Sequence, residues 1–517
     1  MNTVALKSKE GFWIMTSTIL ASAMAFIDGT ALNVVLPSLQ ENLQATGADL
    51  FWVLNAYLLM LASLILIGGS LGDKIGRKKV LMIGIIIFIL GSAACGFSPG
   101  VSWLILFRIL QGIGGALMIP GSLSLISSSI DEKEKGKAIG TWSAFTTIVT
   151  VGGPILGGAL GDAGLWRYIF FINIPFGIIA ILILSKYVKE SLNLNKFSSL
   201  DLLGSLAIAL SLALLTFGFL KIPSVGFQHW QVYLPLLMGV VLMCFFIIIE
   251  NKAKAPMMPL TLFSNPTFSG ANLLTFFLYA GLGAGMLFLS LNLVQVQGYS
   301  QLQSGLTFLP FTILMVLLTR LSGSMSDKYG PRWFLILGPA TAGCGLLLLS
   351  FIKQTAGPSA YWNTFFPGIV AFGLGMSITV SPLTTAVMGA VNDRFSGIAS
   401  GVNNAMTRIA SVFANAIFGA IAVLLFSTAL TLQIQKLPIK DEIKQEIMKQ
   451  SVNFGNAKIP DDLSTANQTV IRNSYHISFI YAYGIIMKIC AALAFISAIM
   501  TIIFIKNAVL IDLKEGH

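Results

Sequence analysis

The sequence predicts an all-α polytopic membrane protein, built as two six-helix bundles with two additional helices between them. Three observations predict this fold class. The chain of 517 residues is 55% hydrophobic and only 10% charged, whereas about 25% of residues are charged in soluble proteins. Apolar runs of about 20 residues, each long enough to cross a hydrocarbon core of about 30 Å, recur from Phe12 to Lys506. A polar phrase also occurs twice, at corresponding places in the two halves.

Fourteen apolar runs are predicted to form transmembrane helices. In chain order they cover residues 12–37, 49–69, 79–97, 102–124, 138–160, 168–186, 201–220, 231–250, 268–292, 302–321, 333–352, 362–388, 397–426 and 476–506. The first run resembles a secretory signal up to Ala23, but it continues to Leu36 and is therefore interpreted as an uncleaved helix.

The basic residues predict how the chain is oriented. Most lysines and arginines flank the ends of the spans on the side of the N-terminus, whereas the short loops of the other side hold only Arg167, Lys221 and Lys353. By the positive-inside rule, both termini are expected in the cytoplasm. The net charge of +11 thus orients the protein in the bilayer, and no nucleic-acid partner is predicted.

The repeated phrase predicts the domain organisation. "GSLGDKIGRKK" begins at Gly69 and "GSMSDKYGPRW" begins at Gly323, 254 residues later, and each joins two spans on the cytoplasmic side. We expect an N-terminal bundle over 1–190, two additional helices with linkers over 191–260, and a C-terminal bundle over 261–517. Parallel repeats are typical of transporters whose halves rock around a midplane site.

One long polar segment, residues 427–475, is predicted on the outer side. Within it, "PIKDEIKQEIMKQ" places Ile439, Ile443 and Ile447 on one helical face. Two interpretations follow: an amphipathic helix that rests on the outer leaflet or on the mouth of the protein, or a solvated helix within a loop.

Five stretches carry a family resemblance. "FIDGTALNVVLPSL", "GGSLGDKIGRKKVL", "RILQGIGGALMIP", "VGGPILGGALGD" and "WRYIFFINIPFG" resemble motifs of the major facilitator superfamily. With fourteen spans, the whole chain is similar to the drug:proton antiporter-2 family of multidrug efflux transporters. The resemblance implies the major facilitator fold and proton-coupled export by alternating access. One departure is Val149, where the motif of the fifth helix usually begins with glycine.

Ionisable residues within the spans are few and mark candidate functional positions. Asp28 is the only carboxylate at clear midspan depth, and burial favours the neutral form of such a group, so it can take up and release a proton. A structural pairing with Arg108 is the alternative. The full set of candidates for proton coupling or substrate contact is Asp28, Asn33, Arg108, Gln111, Arg408 and Lys488. For Arg408 a structural role is as well supported as a functional one. Lys488 either lines the cavity or extends its side chain toward the edge of the membrane.

Two further motifs predict conformational roles. The resemblance implies that the cytoplasmic loops form a latch that holds the inner side shut, although their basic residues also suffice as topological anchors. The candidate latch residues are Gly69, Asp73, Gly76, Arg77, Asp327 and Arg332. In the fifth span, Gly153, Pro154, Gly157 and Gly158 predict a kinked, closely packed hinge, or else a seam of small residues. The resemblance associates this motif with export.

Several function classes are excluded on the sequence. It contains no G-x-x-x-x-G-K-[ST] stretch for a nucleotide, no nucleophile with a base, and no clustered metal ligands, since its four cysteines are isolated. We therefore expect neither an enzyme nor a cofactor, with the proton gradient as energy source. The expected partners are protons, the lipid bilayer and an amphipathic small molecule, neutral or singly charged, and the expected state is a monomer. The alternatives are an exporter of a specific metabolite, lipid or siderophore, and a channel.

Overall fold

The computed structural model describes residues 3–190, 201–253, 256, 258–391, 396–435, 437, 439–457, 459 and 463–505. Apart from one isolated β-bridge between Val4 and Ile130, the regular structure of these residues is helical. Fourteen segments of the described chain are long and apolar enough to cross a membrane. The all-α polytopic fold is thereby confirmed.

The N-terminal bundle consists of seven helices in six spans. They are α1 (Lys9–Leu43), α2 (Gly47–Ile75), α3 (Arg77–Gly96), α4 (Val101–Ser129), α5 (Glu132–Asp162), α6 (Tyr168–Phe171) and α7 (Asn173–Tyr187). The short helix α6 leads directly into α7, and the two together form one span.

The two additional helices form a hairpin beside the seam of the two halves. They are α8 (Leu202–Val225) and α9 (Trp230–Lys252). Helix α8 packs against α2 and against α15 (Ser396–Ile434) of the other half, where Leu59, Leu212 and Val412 share a small buried core. Leu237 and Phe245 on α9 are exposed, which suits a helix whose outer face contacts lipid.

The C-terminal bundle has six spans and one helix outside them. They comprise α10 (Pro266–Gln295), α11 (Gln301–Thr307), α12 (Leu309–Tyr329), α13 (Arg332–Ser350), α14 (Phe365–Gly389), α15 (Ser396–Ile434), α16 (Asp441–Lys449) and α17 (Thr465–Phe504). Helices α11 and α12 form one span, interrupted at Phe308 just before Pro310, whose missing N–H breaks the helical hydrogen-bond ladder.

The repeated phrase adopts the same turn in both halves. Gly76 ends α2 with φ of 112°, and Gly330 ends α12 with φ of 82°. The N–H of Gly76 donates to the carbonyl of Gly72, and the N–H of Gly330 donates to the carbonyl of Ser326. Glycine is needed at both positions because residues with a Cβ rarely adopt positive φ.

The long segment between the last two spans is present, but it is shorter than the predicted 427–475. Helix α15 extends to Ile434 and α17 begins at Thr465. The two helices pack against each other, and Leu430 and Ile471 in their added turns are fully buried members of the main core. Hydropathy misses these turns because polar residues are interspersed among their apolar ones.

The amphipathic helix within this segment is present as α16, and its apolar face packs on the protein. Ile447 is fully buried, and Ile439 and Ile443 pack against the main core. The following 3-10 helix, Gln450–Asn456, contacts α2, α15 and α17. Of the two interpretations, the helix therefore rests on the mouth of the protein.

The two equivalent turns yield a graded stability prediction. An added Cβ at Gly76 would lie 2.6 Å from the Glu190 carboxyl carbon, whereas one at Gly330 would meet nothing within 4 Å. Gly330→Ala should cost about 1–3 kcal/mol through backbone strain alone. Gly76→Ala should cost more, because the Glu190 carboxylate would also have to leave its hydrogen bonds to Lys78 and Lys79. Thermal unfolding in detergent measures both. Equal unfolding midpoints for the two variants would contradict this account of the Gly76 turn.

Candidate functional site

A cavity of about 1330 Å³ lies between the two halves. Residues of α1, α2, α4 and α5 form one wall, and residues of α10, α14 and α15 form the other. The cavity extends from Asn33 and Arg108, deep in the bundle, to Arg77 and Asp201, close to the ends that carry the repeated basic phrase. Such a position between two pseudo-equivalent bundles is where transporters bind their substrates.

A buried ion pair lies at the deep end of this cavity. The Asp28 carboxylate of α1 pairs with the Arg108 guanidinium of α4, and neither side chain is more than 1% exposed. The Gln111 amide donates to the other carboxylate oxygen over 2.9 Å. Arg108 also donates to the side-chain oxygen of Gln111 over 2.8 Å and, through Nε, to the Val53 carbonyl over 3.2 Å. Three of the candidate residues thus form one cluster.

Further polar groups connect this cluster to the rest of the bundle. The Gln111 amide also donates to Ser92 Oγ over 3.2 Å, and the Asn173 amide donates to the same oxygen over 3.0 Å. The Tyr57 ring lies 4.4 Å from the guanidinium carbon of Arg108. Tyr57 and Arg108 line the cavity, whereas Asp28 lies behind them. Sequence reasoning missed Ser92 and Asn173, although polar residues in apolar spans are a usable signal.

Small residues on α4 bring the cluster together. An added Cβ at Gly112 would lie 2.6 Å from the Tyr57 carbonyl oxygen of α2, and one at Gly114 would lie 2.5 Å from the Phe88 backbone nitrogen of α3. Close approach of this kind is what small residues provide between membrane helices. Because Arg108 and Gln111 are three residues apart, they share the face of α4 that meets α1.

The other candidate residues are placed as follows. Asn33 lines the cavity, and its amide donates to the Gly29 carbonyl over 3.4 Å. Arg408 lines the cavity from α15, and its Nε has no hydrogen-bond partner in the part of the chain that the structure describes. Lys488 is exposed on α17 outside the cavity, with its ammonium 5.5 Å from the Phe351 ring. The structure therefore does not bring Lys488 to this site.

The two halves contact each other at the end of the molecule opposite to the cavity's basic rim, which is the end that holds Arg77 and Asp201. Asp162, the last residue of α5, accepts hydrogen bonds from the backbone N–H groups of Gln301 (2.7 Å) and Leu302 (3.0 Å) at the start of α11. The Gln301 side chain donates to Ser38 Oγ of α1. A carboxylate is well suited to a helix start, where unpaired N–H groups and the helix dipole favour negative charge.

The glycines of the fifth span pack against α1 of the same half and against the other half. Added Cβ atoms at Gly153 and Gly157 would overlap Thr30 and Ala31 of α1, and one at Gly158 would overlap the Gln301 backbone. Pro154 lies inside α5, and its carbonyl approaches Gly305 of the other half. The motif thus acts as a packing seam in this conformation. Sequence reasoning missed Asp162, which ends the same motif.

The candidate latch residues lie at the basic end. Gly69 and Arg77 line the cavity, and Arg77 approaches the Ser124 carbonyl of α4. Arg332 donates to the Ile502 carbonyl of α17 over 3.3 Å, and Asp327 is exposed. The Asp73 side chain lies outside the described residues.

An acidic residue that the sequence did not single out holds the first loop. The two Glu190 carboxylate oxygens accept hydrogen bonds from the backbone N–H groups of Lys78 (2.9 Å) and Lys79 (3.1 Å) at the start of α3. The loop after Gly76 is therefore tied to the end of the N-terminal bundle.

Comparison with known families identifies the family to which this chain belongs. The family model of the Major Facilitator Superfamily matches residues 18–415. The chain belongs to the major facilitator superfamily. With its fourteen spans, it fits the drug:proton antiporters of that superfamily, as the motifs indicated.

Two relatives and one solved structure agree with this assignment. The multidrug resistance protein Stp of Mycobacterium tuberculosis is 32% identical over 85% of this chain and 81% of its own length. The methylenomycin A resistance protein of Bacillus subtilis is 31% identical over 80% of this chain and 88% of its own length. The fold is similar to that of a bacterial homologue of the human lysosomal transporter Spinster, with a TM-score of 0.64 and 19% identity. The match covers 96% of this chain and 98% of the Spinster homologue.

Family membership carries further consequences. Major facilitator transporters are carriers of small molecules rather than enzymes. With fourteen spans and relatives from bacteria, this major facilitator protein is a multi-pass integral protein of the bacterial inner membrane.

The Asp162 contact yields a test of closure at its end of the molecule. Asp162→Asn should widen the end where α5 meets α11, because a hydrogen bond to a charged group contributes about 1.5–3 kcal/mol, which is about tenfold or more in the ratio of closed to open molecules. Spin labels at Asn42 and Ser359, exposed residues of the two halves, report the distance in a cysteine-free background. Asp49→Asn is the control, since Asp49 caps its own helix at Thr46. An unchanged distance distribution in Asp162→Asn would contradict a closing role.

Proposed function

We propose that this protein exports amphipathic small molecules from the cytoplasm in exchange for protons, by alternating access. The observation that carries the proposal is the buried Asp28–Arg108 pair beside a cavity that reaches only one end of the bundle. The names of the two relatives, a multidrug and an antibiotic resistance protein, support export as the direction.

The orientation follows from charge. Lys74, Arg77, Lys78 and Lys79 cluster at the end that the cavity reaches. By the positive-inside rule this end faces the cytoplasm. The conformation described is then the loading state, in which a molecule enters from the cytoplasm while the Asp162 contact keeps the outer end closed.

The ion pair supplies a mechanism for proton exchange. Arg108 keeps its charge, because a guanidinium is not deprotonated in proteins. When Asp28 is ionised, the pair is neutral as a unit and ties α1 to α4. When Asp28 is protonated, the attraction is lost and Arg108 must rely on Gln111, the Val53 carbonyl and the Tyr57 ring. The position of α1 relative to α4 therefore depends on one proton.

The cycle combines this pair with the outer interface. Rocking breaks the contact of Asp162 with α11, opens the deep end to the outside and lets Asp28 take up a proton there. The protonated state returns to the cytoplasmic conformation, where proton release restores the ion pair as a new molecule binds. The electrical part of the gradient contributes about 2.3 kcal/mol per charge per 100 mV.

A narrower function is the second candidate. One relative is named for resistance to a single antibiotic, methylenomycin A. An exporter of one metabolite, lipid or siderophore would use the same fold and the same ion pair. A panel of amphipathic compounds separates the two candidates, because transport of one chemical class alone would rule out multidrug export.

The proton-coupling role of Asp28 is tested in liposomes. Asp28→Asn should abolish proton movement coupled to transport, because an amide does not exchange a proton in the working pH range. Purified protein is reconstituted with trapped pyranine, a pH step is imposed, and proton flux is recorded as each compound of the panel is added.

Glu250→Gln is the matched control for this experiment. Glu250 is also buried, but it accepts the N–H of Met258 and belongs to the additional helices. The control should keep wild-type flux. Wild-type coupling in Asp28→Asn would show that another group carries the proton.

A further inference from the structure

The charges on the cavity wall are unevenly compensated. Among the described residues, the Asp, Glu, Lys and Arg side chains that line the cavity are Arg77, Arg108, Asp201 and Arg408. Arg77 and Asp201 lie at the basic rim, and Asp201 caps the start of α8 through Gly204. Deep in the cavity, Arg108 is neutralised by Asp28. Arg408 has no carboxylate partner among the described residues.

Arg408 belongs to a polar face of α15. Asn404, Arg408, Ser411 and Asn415 follow each other at intervals of four, three and four residues, and all four line the cavity. This spacing places them on one side of a helix. An apolar span with a continuous polar face directed into a cavity indicates contact with a polar ligand group or water.

The wall around this face is aromatic and apolar. Tyr57 of α2 and Tyr279 of α10 line the same cavity as Arg408. Leu54 and Met286 line the same cavity. A ligand that fits both surfaces has an apolar or aromatic body and one polar end.

The chemistry of arginine decides the sign of that polar end. A guanidinium presents its donors as a planar fork that matches two oxygens of a carboxylate or sulfonate. Since the Nε of Arg408 is buried and no described residue accepts a hydrogen bond from it, an oxyanion would satisfy this donor. A cationic ligand would place a second positive charge beside it in a medium of low dielectric.

We propose that the cavity selects amphipathic organic anions and that Arg408 binds their carboxylate or sulfonate group. The inference rests on the proposed function, because it names the class of molecule carried. It is also consistent with the energetics of that function. An anion that leaves the cell and a proton that enters move charge in the same sense, so the inside-negative potential favours both steps.

Equilibrium binding tests the charge preference without any gradient. The probes share one ring: a diethylaminocoumarin carboxylate, its neutral ethyl ester and its cationic aminoethyl amide. Binding to the full chain in nanodiscs is measured by fluorescence anisotropy. We expect the carboxylate to bind at least tenfold more tightly than the other two probes.

Three variants separate charge recognition from packing. Arg408→Gln should weaken carboxylate binding about tenfold or more and leave ester binding within twofold, and Arg408→Lys should restore part of the loss. Arg320→Gln removes the same side chain from the same half at an exposed position outside the cavity. This control should leave the binding of the carboxylate and of the ester unchanged.

Each contrary outcome is informative. Equal losses for carboxylate and ester in Arg408→Gln, or preference of the wild type for the amide, would overturn the proposal. Competition of the carboxylate by chloride at physiological concentration would show a site for inorganic anions instead. Selective carboxylate binding without proton flux in liposomes would leave this inference intact and refute the proposed antiport. Proton-coupled transport without charge preference would leave the proposed antiport intact and refute the selection of anions.

Discussion

The pairing of one buried carboxylate with one buried guanidinium organises the N-terminal bundle. Removing either partner of such a pair typically costs about 3–5 kcal/mol, because it leaves an uncompensated charge away from water. Here the pair joins α1 to α4, and its hydrogen bonds extend through Val53, Ser92 and Asn173 to α2, α3 and α7. The proposed proton on Asp28 would therefore act on contacts made by five helices.

The two ends of the molecule are constructed differently, and this asymmetry connects the pair to transport. At the outer end, backbone approaches near Gly158 and the Asp162 carboxylate bind the halves directly to each other. At the basic end, Glu190 and Arg332 bind the repeated loops to their own halves. Under the proposed alternating access, the contacts of Asp162 would break in each cycle, whereas the loops would move with their own bundles.

The sequence predicted the parts of this arrangement better than their assembly. Hydropathy located all fourteen spans because this signal is local, whereas the equivalent turns at Gly76 and Gly330 emerged from the structure. Asp28 and Arg108 were each singled out and their pairing was one of two alternatives, but they are 80 positions apart, and helical periodicity does not specify which faces of distant helices meet. The same limit hid the contact of Asp162 with Gln301. The ends of α15 and α17 were misplaced because their added turns mix polar with apolar residues, which hydropathy alone does not assign to a span.

The central claim is that Asp28 changes its protonation state during the cycle. Infrared difference spectroscopy of the protein in lipid, recorded between neutral and acidic external pH, measures the carboxyl C=O stretch directly. The account predicts a band of a protonated carboxylic acid that appears in the wild type and in Glu250→Gln and is missing in Asp28→Asn. A carboxylate that stays ionised in every state, with the same spectrum in the wild type and in Asp28→Asn, would contradict it.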